Sequence, residues 1–254
     1  MQTRFLFLLL SLIPSLSWGQ YHPTIRSGRP GQSIGPYTTG LGVLQLQAGI
    51  NYNRIEGANS ETDVFLENNI LRWGIRERIE LSGGVNWRQR ETLRNGNETQ
   101  SRGLSRVQLG GRFNLLRQHG IIPAIGIQGR ARLGLPVVNW RDPQLGSTFI
   151  LATGHSIGDR WGVTTNWGVS WAGTGEQARP FYTTCVSFSL TDRFGTFAEV
   201  YGNLDDFTTN FDAGFAYLVG NNFQLDFSAG WQGDSGQRNW FVDGGLSYRL
   251  VWRN

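Results

Sequence analysis

Two short stretches carry the spacing of a serine nucleophile. Gly31-Gln32-Ser33-Ile34-Gly35 fits the G-x-S-x-G of a nucleophile elbow, and Gly233-Asp234-Ser235-Gly236 resembles the surroundings of a protease serine. An elbow needs a buried strand before its serine and a helix after it, so that the hydroxyl stands on a sharp turn. Here Pro30 and Pro36 flank the first stretch, and no strand pattern precedes it. Either serine would also need a histidine base within hydrogen-bond reach. The three histidines are His22, His119 and His155. His119 and His155 fall at or near expected turns, at the far end of the strand patterns from Ser235. His155 and Ser156 are consecutive on a strand pattern and therefore point to opposite faces. No catalytic set emerges. Neither a His-x-x-His pair nor a Cys/His cluster occurs, so no metal or cofactor is expected. Cys185 is the only cysteine, which rules out an intrachain disulfide, and it reads as a small strand residue.

The remaining chemistry lies in charge. All 23 basic residues are arginine, the net charge is +4, and mean hydropathy is −0.30. No basic run occurs and the arginines alternate with apolar residues, so nucleic acid is not an expected partner. On one face of the alternation fall Arg72, Arg88, Arg112, Arg130 and Arg132, early in the chain. On the same face, later, fall Glu199, Asp212, Asp226 and Asp243. Such a distribution sets a basic wall against an acidic one, with Glu80 and Arg249 as exceptions.

The elements that would hold these charges have a period of two, the period of strands. Over Val43 to Asn53, Leu44, Leu46, Ala48, Ile50 and Tyr52 share one face; Gln45, Gln47, Gly49, Asn51 and Asn53 share the other. The pattern recurs at Ile79–Arg88, Val107–Leu115, Trp161–Trp171, Phe223–Trp231 and Trp240–Trp252. Further strands are expected at Asn69–Ile75, Ile125–Leu135, Phe149–Ile157, Phe181–Leu190, Thr196–Asn203 and Phe211–Leu218. The pattern is weakest at Thr196–Asn203, where Glu199 sits between Phe197 and Tyr201. The total is about twelve strands of about ten residues, the length a tilted strand needs to cross a bilayer.

Connections and aromatics separate a membrane barrel from a soluble sandwich. Short links such as Arg76-Glu77-Arg78, Gly158-Asp159-Arg160, Thr191-Asp192-Arg193 and Gly220-Asn221-Asn222 follow every second strand. Longer polar links, expected over Glu91–Arg102, Val137–Ser147 and Gln232–Asn239, fall between them. Tight periplasmic turns alternating with longer outside loops are the habit of outer-membrane barrels. Trp73, Trp161, Tyr217, Phe223 and Trp252 fall at the turn end. Tyr52, Trp87, Phe149, Trp171, Phe211, Trp231 and Trp240 fall at the loop end. Two such girdles frame an apolar band about 25 Å tall.

The first residues complete this reading. Arg4, the apolar Phe5–Leu16, and small residues Ser17 and Gly19 have the order of a secretory signal, with cleavage expected before Gln20. The expected organisation is a signal peptide at 1–19, a periplasmic or plug segment at 20–41, and a barrel at 42–254. Exported chains without membrane helices can satisfy their backbone in lipid only as closed barrels.

Several stretches carry a family resemblance. They are Arg29-Pro30-Gly31-Gln32, Gly42-Val43-Leu44-Gln45-Leu46-Gln47, Leu71-Arg72-Trp73-Gly74-Ile75 with Glu80-Leu81, Thr191-Asp192-Arg193-Phe194-Gly195, and Gly244-Gly245-Leu246-Ser247-Tyr248-Arg249-Leu250. With them the chain resembles the outer-membrane β-barrel family labelled "putative MetA-pathway of phenol degradation", over most of its length. The resemblance implies a barrel that moves small compounds, aromatic ones among them, and no catalytic motif.

The fold class expected is therefore all-β, an antiparallel transmembrane barrel of about 12 strands in a bacterial outer membrane. The function expected is a channel or passive transporter for small molecules. The alternatives are a phospholipase-like outer-membrane enzyme and a closed barrel acting structurally or through its loops. Expected partners are outer-membrane lipid, the barrel-assembly machinery and a small-molecule solute. The nine charged residues above are the expected lumen lining.

Overall fold

In the computed structural model, residues 22–134, 145–173, 175–234 and 237–252 are described. The expected export signal lies outside them. Twelve antiparallel strands close into one barrel, each paired to its sequence neighbour, with the last returning to the first. They are β1 (Val43–Gly57), β2 (Ser60–Arg76), β3 (Ile79–Arg94), β4 (Asn97–Leu116), β5 (Ala124–Arg132) and β6 (Gly146–Ile157), followed by β7 (Trp161–Trp171), β8 (Arg179–Ser189), β9 (Phe194–Asn203), β10 (Asn210–Leu218), β11 (Phe223–Asp234) and β12 (Gln237–Val251). The closing seam runs from Val43↔Val251 to Glu56↔Arg238. Closure removes the sheet edge where neighbouring strands overlap, so backbone donors and acceptors there pair without water.

The period of two sorts side chains as no soluble protein would. Outside stand exposed Ile50, Leu71, Leu109, Phe149, Trp167 and Leu250; inside lie buried Gln45, Gln47, Asn114, Asn166 and Arg249. A solvent of lipid makes sense of the first set, and a polar lumen of the second. Trp73, Trp161 and Trp252 are exposed at the turn end, and Trp87, Trp231 and Trp240 at the loop end. Above the upper girdle the outer face turns polar. Tyr52 packs on Phe65 at 4.9 Å between ring centroids, and its hydroxyl donates to Asp63 at 2.7 Å. Arg54 then bridges Glu56, Glu61 and Asp63. Glu67 also faces outward, but it pairs with Trp87 and so stands level with that girdle. No helix among the described residues is long and apolar enough to cross a membrane.

The strands run further than expected at the loop end of the first two hairpins. The long link expected over Glu91–Arg102 is instead strand on both sides of a tight turn at Asn95-Gly96, with φ of 50° and 81°. Asn-Gly with two positive φ angles is the preferred two-residue hairpin turn, because its twist matches that of the strands. β2 likewise begins at Ser60, well before the expected Asn69, and pairs with β1 up to Gly57↔Ser60. β11 and β12 pair out to Asp234↔Gln237, which shortens the link expected over Gln232–Asn239. β5 ends at Arg132; the expected strand end at Leu135 and much of the following link lie outside the described residues.

Candidate functional site

The lumen is crossed by the chain's own N-terminal segment, residues 22–42. The segment enters beside the β10–β11 turn, where the Ile25 amide donates to the Asn221 carbonyl at 2.8 Å. Arg249 of β12 secures this end, donating to the Asn222 side chain and to the carbonyls of His22, Pro23 and Thr24. Burial, then the positive charges of Arg26 and Arg249, hold the His22 imidazole below its ordinary pKa of 6.5.

Arg29 is the central anchor. Its guanidinium donates to Asp226 at 3.2 Å, to Asn68 at 3.2 Å, and to Asp243. It occupies a slot opened by two inward glycines, Gly49 and Gly245, which pair across the closing seam. Next, the Gln32 and Ser33 amides both donate to Glu199, each at 2.6 Å. Gly31 enables that cradle with a φ of 87°, and a Cβ there would meet Glu199 Oε2 at 2.9 Å. The G-x-S-x-G stretch therefore holds a carboxylate with its backbone. Its serine hydroxyl lies 2.6 Å from that of Thr183, and no histidine bonds to it.

The segment then crosses to the other wall. Asn166 clamps Ile34 through amide and carbonyl at 2.8 and 2.9 Å. Ile34 packs with Ile150, Ala152 and Phe181 in a small apolar cluster. Pro36 rests over Gly126 and Gly154, where added Cβ atoms would come within 2.9 Å of its ring and backbone. Arg112 donates to the Tyr37 carbonyl at 2.9 Å, and Asn114 to that of Pro36 at 3.1 Å. Glu80 accepts the Thr39 amide at 2.9 Å just before β1 begins.

Of the nine charged residues expected in the lumen, Arg72, Arg112, Glu199, Asp212 and Asp226 are buried, and Arg88, Arg130, Arg132 and Asp243 line cavities inside the barrel. Arg72 makes a two-pronged bond to Glu80, 2.8 Å on each arm, and donates to the Arg26 carbonyl at 3.1 Å. Asp226 and Asp243 are taken by Arg29, and Glu199 by backbone amides. Asp212 lies beside Glu199 in the β9–β10 register. On the basic wall Arg130 donates to Gln128 at 3.1 Å, and Arg132 to the Ala172 carbonyl. Arg88 lines the space above the segment. The acidic wall was legible, and its neutralising partner was not, because Arg29 sits in a stretch with no periodicity. A signal was present nonetheless: glycines on the inward parity mark where something packs against the wall. The β9 pattern also resolves. Phe197, Glu199 and Tyr201 all face inward, and Phe197 covers Gly31.

Arg29, Arg72 and Arg249 each hold several acceptors at once. A planar fork can hold two or three acceptors at once, which an ammonium does less well. That accounts for arginine at the positions just described.

Above the segment, toward the loops, a cavity of about 460 Å³ remains. Ile34, Val64, Leu66, Ile70 and Phe241 give it apolar surface; Arg88, Arg90 and Arg130 give it a charged side. A void of about 50 Å³ continues down from Arg130 to Arg72 and Glu80 along the β2–β5 wall. Among the described residues no group of three His, Cys, Asp or Glu side chains is placed to hold a metal.

Sequence and structure comparisons bear on this architecture. The family model described as "Putative MetA-pathway of phenol degradation" matches residues 27–250. An outer membrane channel from Pseudomonas putida F1 superposes with a TM-score of 0.66 at 11% identity, over 87% of this chain and 99% of that one. The NanC porin superposes at 0.54 with 8% identity, covering 80% and 100% of the two chains. The translocator domain of the autotransporter NalP from Neisseria meningitidis gives 0.52 at 11%, covering 98% and 95%. No curated protein sequence matches. These likenesses concern the barrel itself, which serves different tasks in different proteins.

Proposed function

Since this chain belongs to the family described as "Putative MetA-pathway of phenol degradation", we propose that it is an outer-membrane channel for small solutes that carry an apolar, aromatic-sized group. One observation carries the reading: the lumen holds a 460 Å³ cavity, part apolar, floored by a segment tied down mainly by hydrogen bonds. That volume lies within the range of about 300–1,000 Å³ usual for small-molecule sites. The neighbours named as a channel and a porin favour the same assignment. A solute enters from the loop side, rests on the segment beside Ile34 and Phe241, and leaves when the segment yields along the β2–β5 wall.

The polar character of the floor suits a gate. Each hydrogen bond adds about 0.5–1.5 kcal/mol net, or about 1.5–3 where one partner is charged, since displaced groups can bond to water instead. A lumen that admits water can therefore exchange these bonds singly, whereas a fully apolar plug would have to leave at once. A phospholipase-like enzyme is disfavoured because Ser33 has Thr183, not histidine, at its hydroxyl.

Planar-bilayer recording tests the reading. The folded protein should give brief, low-conductance openings, and deletion of residues 22–40 should give steady, larger ones. A deletion variant that folds and still passes no current would overturn the channel and favour a closed barrel acting through its loops.

A further inference from the structure

Asp212 is a buried carboxyl group that the ties to the segment leave out. It projects inward from β10 and is 4% exposed. Neither of its oxygens accepts a hydrogen bond. Its direct partner across the β9–β10 ladder is Glu199, and the two carboxyl groups lie within hydrogen-bond reach of each other. Glu199 is itself 3% exposed and holds the Gln32 and Ser33 amides, one on each oxygen. Among the described residues that face this pair, none supplies a free positive charge. Cys185 of β8 and Tyr201 of β9 carry no positive charge, and Asp243 of β12 is another acid. The register partner on β11 is Gly230, and the nearby side chain of Gln32 is uncharged. Arg29 is divided among Asp226, Asp243 and Asn68.

Two carboxylates this close and this dry cannot both stay ionised without a counter-charge. A proton resolves the conflict and needs no extra space. A protonated Asp212 has an O–H to donate, and Glu199 keeps lone pairs free beside its two amide bonds. Such acid–carboxylate hydrogen bonds are short and about twice as strong as neutral ones. We propose that Asp212 and Glu199 bind one proton between them while the segment is docked, and that this proton helps to hold the segment in the lumen. With the second charge gone, the remaining negative charge of Glu199 rests on the Gln32 and Ser33 amides. Undocking lets water reach both carboxyl groups, which then ionise separately. The docked state carries the extra proton. Its contribution to docking is full below the ordinary carboxylate range of about 4, and declines as pH rises until the docked pair also gives the proton up. The sign is opposite to that of His22, which acts at the periplasmic end. The inference rests on the docked segment and stands whether or not the barrel conducts.

Infrared difference spectra test this on the folded protein, in a detergent free of carboxyl groups. Raising the pH from neutral to alkaline should remove the carbonyl stretch of a protonated carboxyl group, and Asp212→Asn should lack that band from the start. Hydrogen exchange gives the second reading. Over the same rise in pH, protection of the Gln32 and Ser33 amides, corrected for intrinsic exchange, should fall by about tenfold or more. An asparagine at 212 can donate to Glu199 and has no proton to lose, so the variant should keep its protection with a flat profile. No acid band in wild-type protein that migrates as a folded barrel would overturn the proposal, whatever the variant does. A band that survives Asp212→Asn would overturn it as well. A flat wild-type exchange profile would overturn the proton's part in docking. An absent band, with protection raised by sodium or calcium ions at constant ionic strength, would put a bound cation in the proton's place.

Discussion

Gly49 and Gly245 face each other across the β1–β12 seam, and the slot they leave is filled by the guanidinium of Arg29. The barrel wall is thus shaped for the segment it contains. Replacing Gly49 with valine should push Arg29 out of reach of Asp226 and Asp243. The barrel should still form, since the nearest atoms a Cβ at Gly49 would meet all belong to the flexible Arg29 side chain. The expected result is normal heat-modifiable migration with faster hydrogen exchange over residues 27–34. Unchanged exchange would show that the segment tolerates the loss of its slot.

Glu199 gathers two backbone amides, so Glu199→Ala should free the turn at Gly31-Gln32-Ser33. Hydrogen bonds to a charged group contribute about 1.5–3 kcal/mol each. Exchange of the Gln32 and Ser33 amides should accelerate by at least tenfold, with little change in the β-strand amides. Equal acceleration throughout would point to barrel destabilisation instead.

The Arg72–Glu80 pair is almost fully buried, with side-chain exposures of 5% and 1%. Removing one member strands the other, a loss of about 3–5 kcal/mol. Arg72→Leu should lower the urea midpoint of unfolding markedly. Arg72→Leu with Glu80→Leu should recover much of it, because no lone charge remains. A double variant no more stable than the single one would mean that the Thr39 amide and Arg26 carbonyl contacts dominate.

At the periplasmic mouth burial, and then the charges of Arg26 and Arg249, favour the neutral form of the His22 imidazole. Its folded pKa lies below the ordinary 6.5, so between the two values the released segment binds more protons than the docked one. Docking is therefore fully supported above pH 6.5 and weakens as pH falls toward the lowered value. Protection of the amides near His22, corrected for intrinsic exchange, should drop between pH 7 and pH 5. His22→Gln should flatten that profile.

How much was legible in the sequence depended on which solvent each face met. β7 could be read from end to end, because Trp161 and Trp171 mark the lipid boundary and a Gly-Asp-Arg turn precedes it. The first half of β2 was hidden. There Glu61 and Asp63 stand above the upper girdle and Glu67 level with it, in place of the apolar residues that mark a strand. The Asn95-Gly96 turn carried its own signal, but the polar residues around it resembled a loop. Which charged side chains share one face followed from the period of two alone. Their pairing did not, because Arg29, Gln32 and Ser33 lie in a segment without repeating pattern, held by the shape of inward glycines rather than by a period.

The central claim is that the luminal segment controls a path for small solutes. The direct measurement is single-channel current across a planar bilayer for the wild-type protein beside the Gly49→Val variant. The wild-type protein should give brief, small openings and the variant long, larger ones, both from heat-modifiable, folded barrels. Identical current traces from two folded proteins that differ in segment exchange would contradict it.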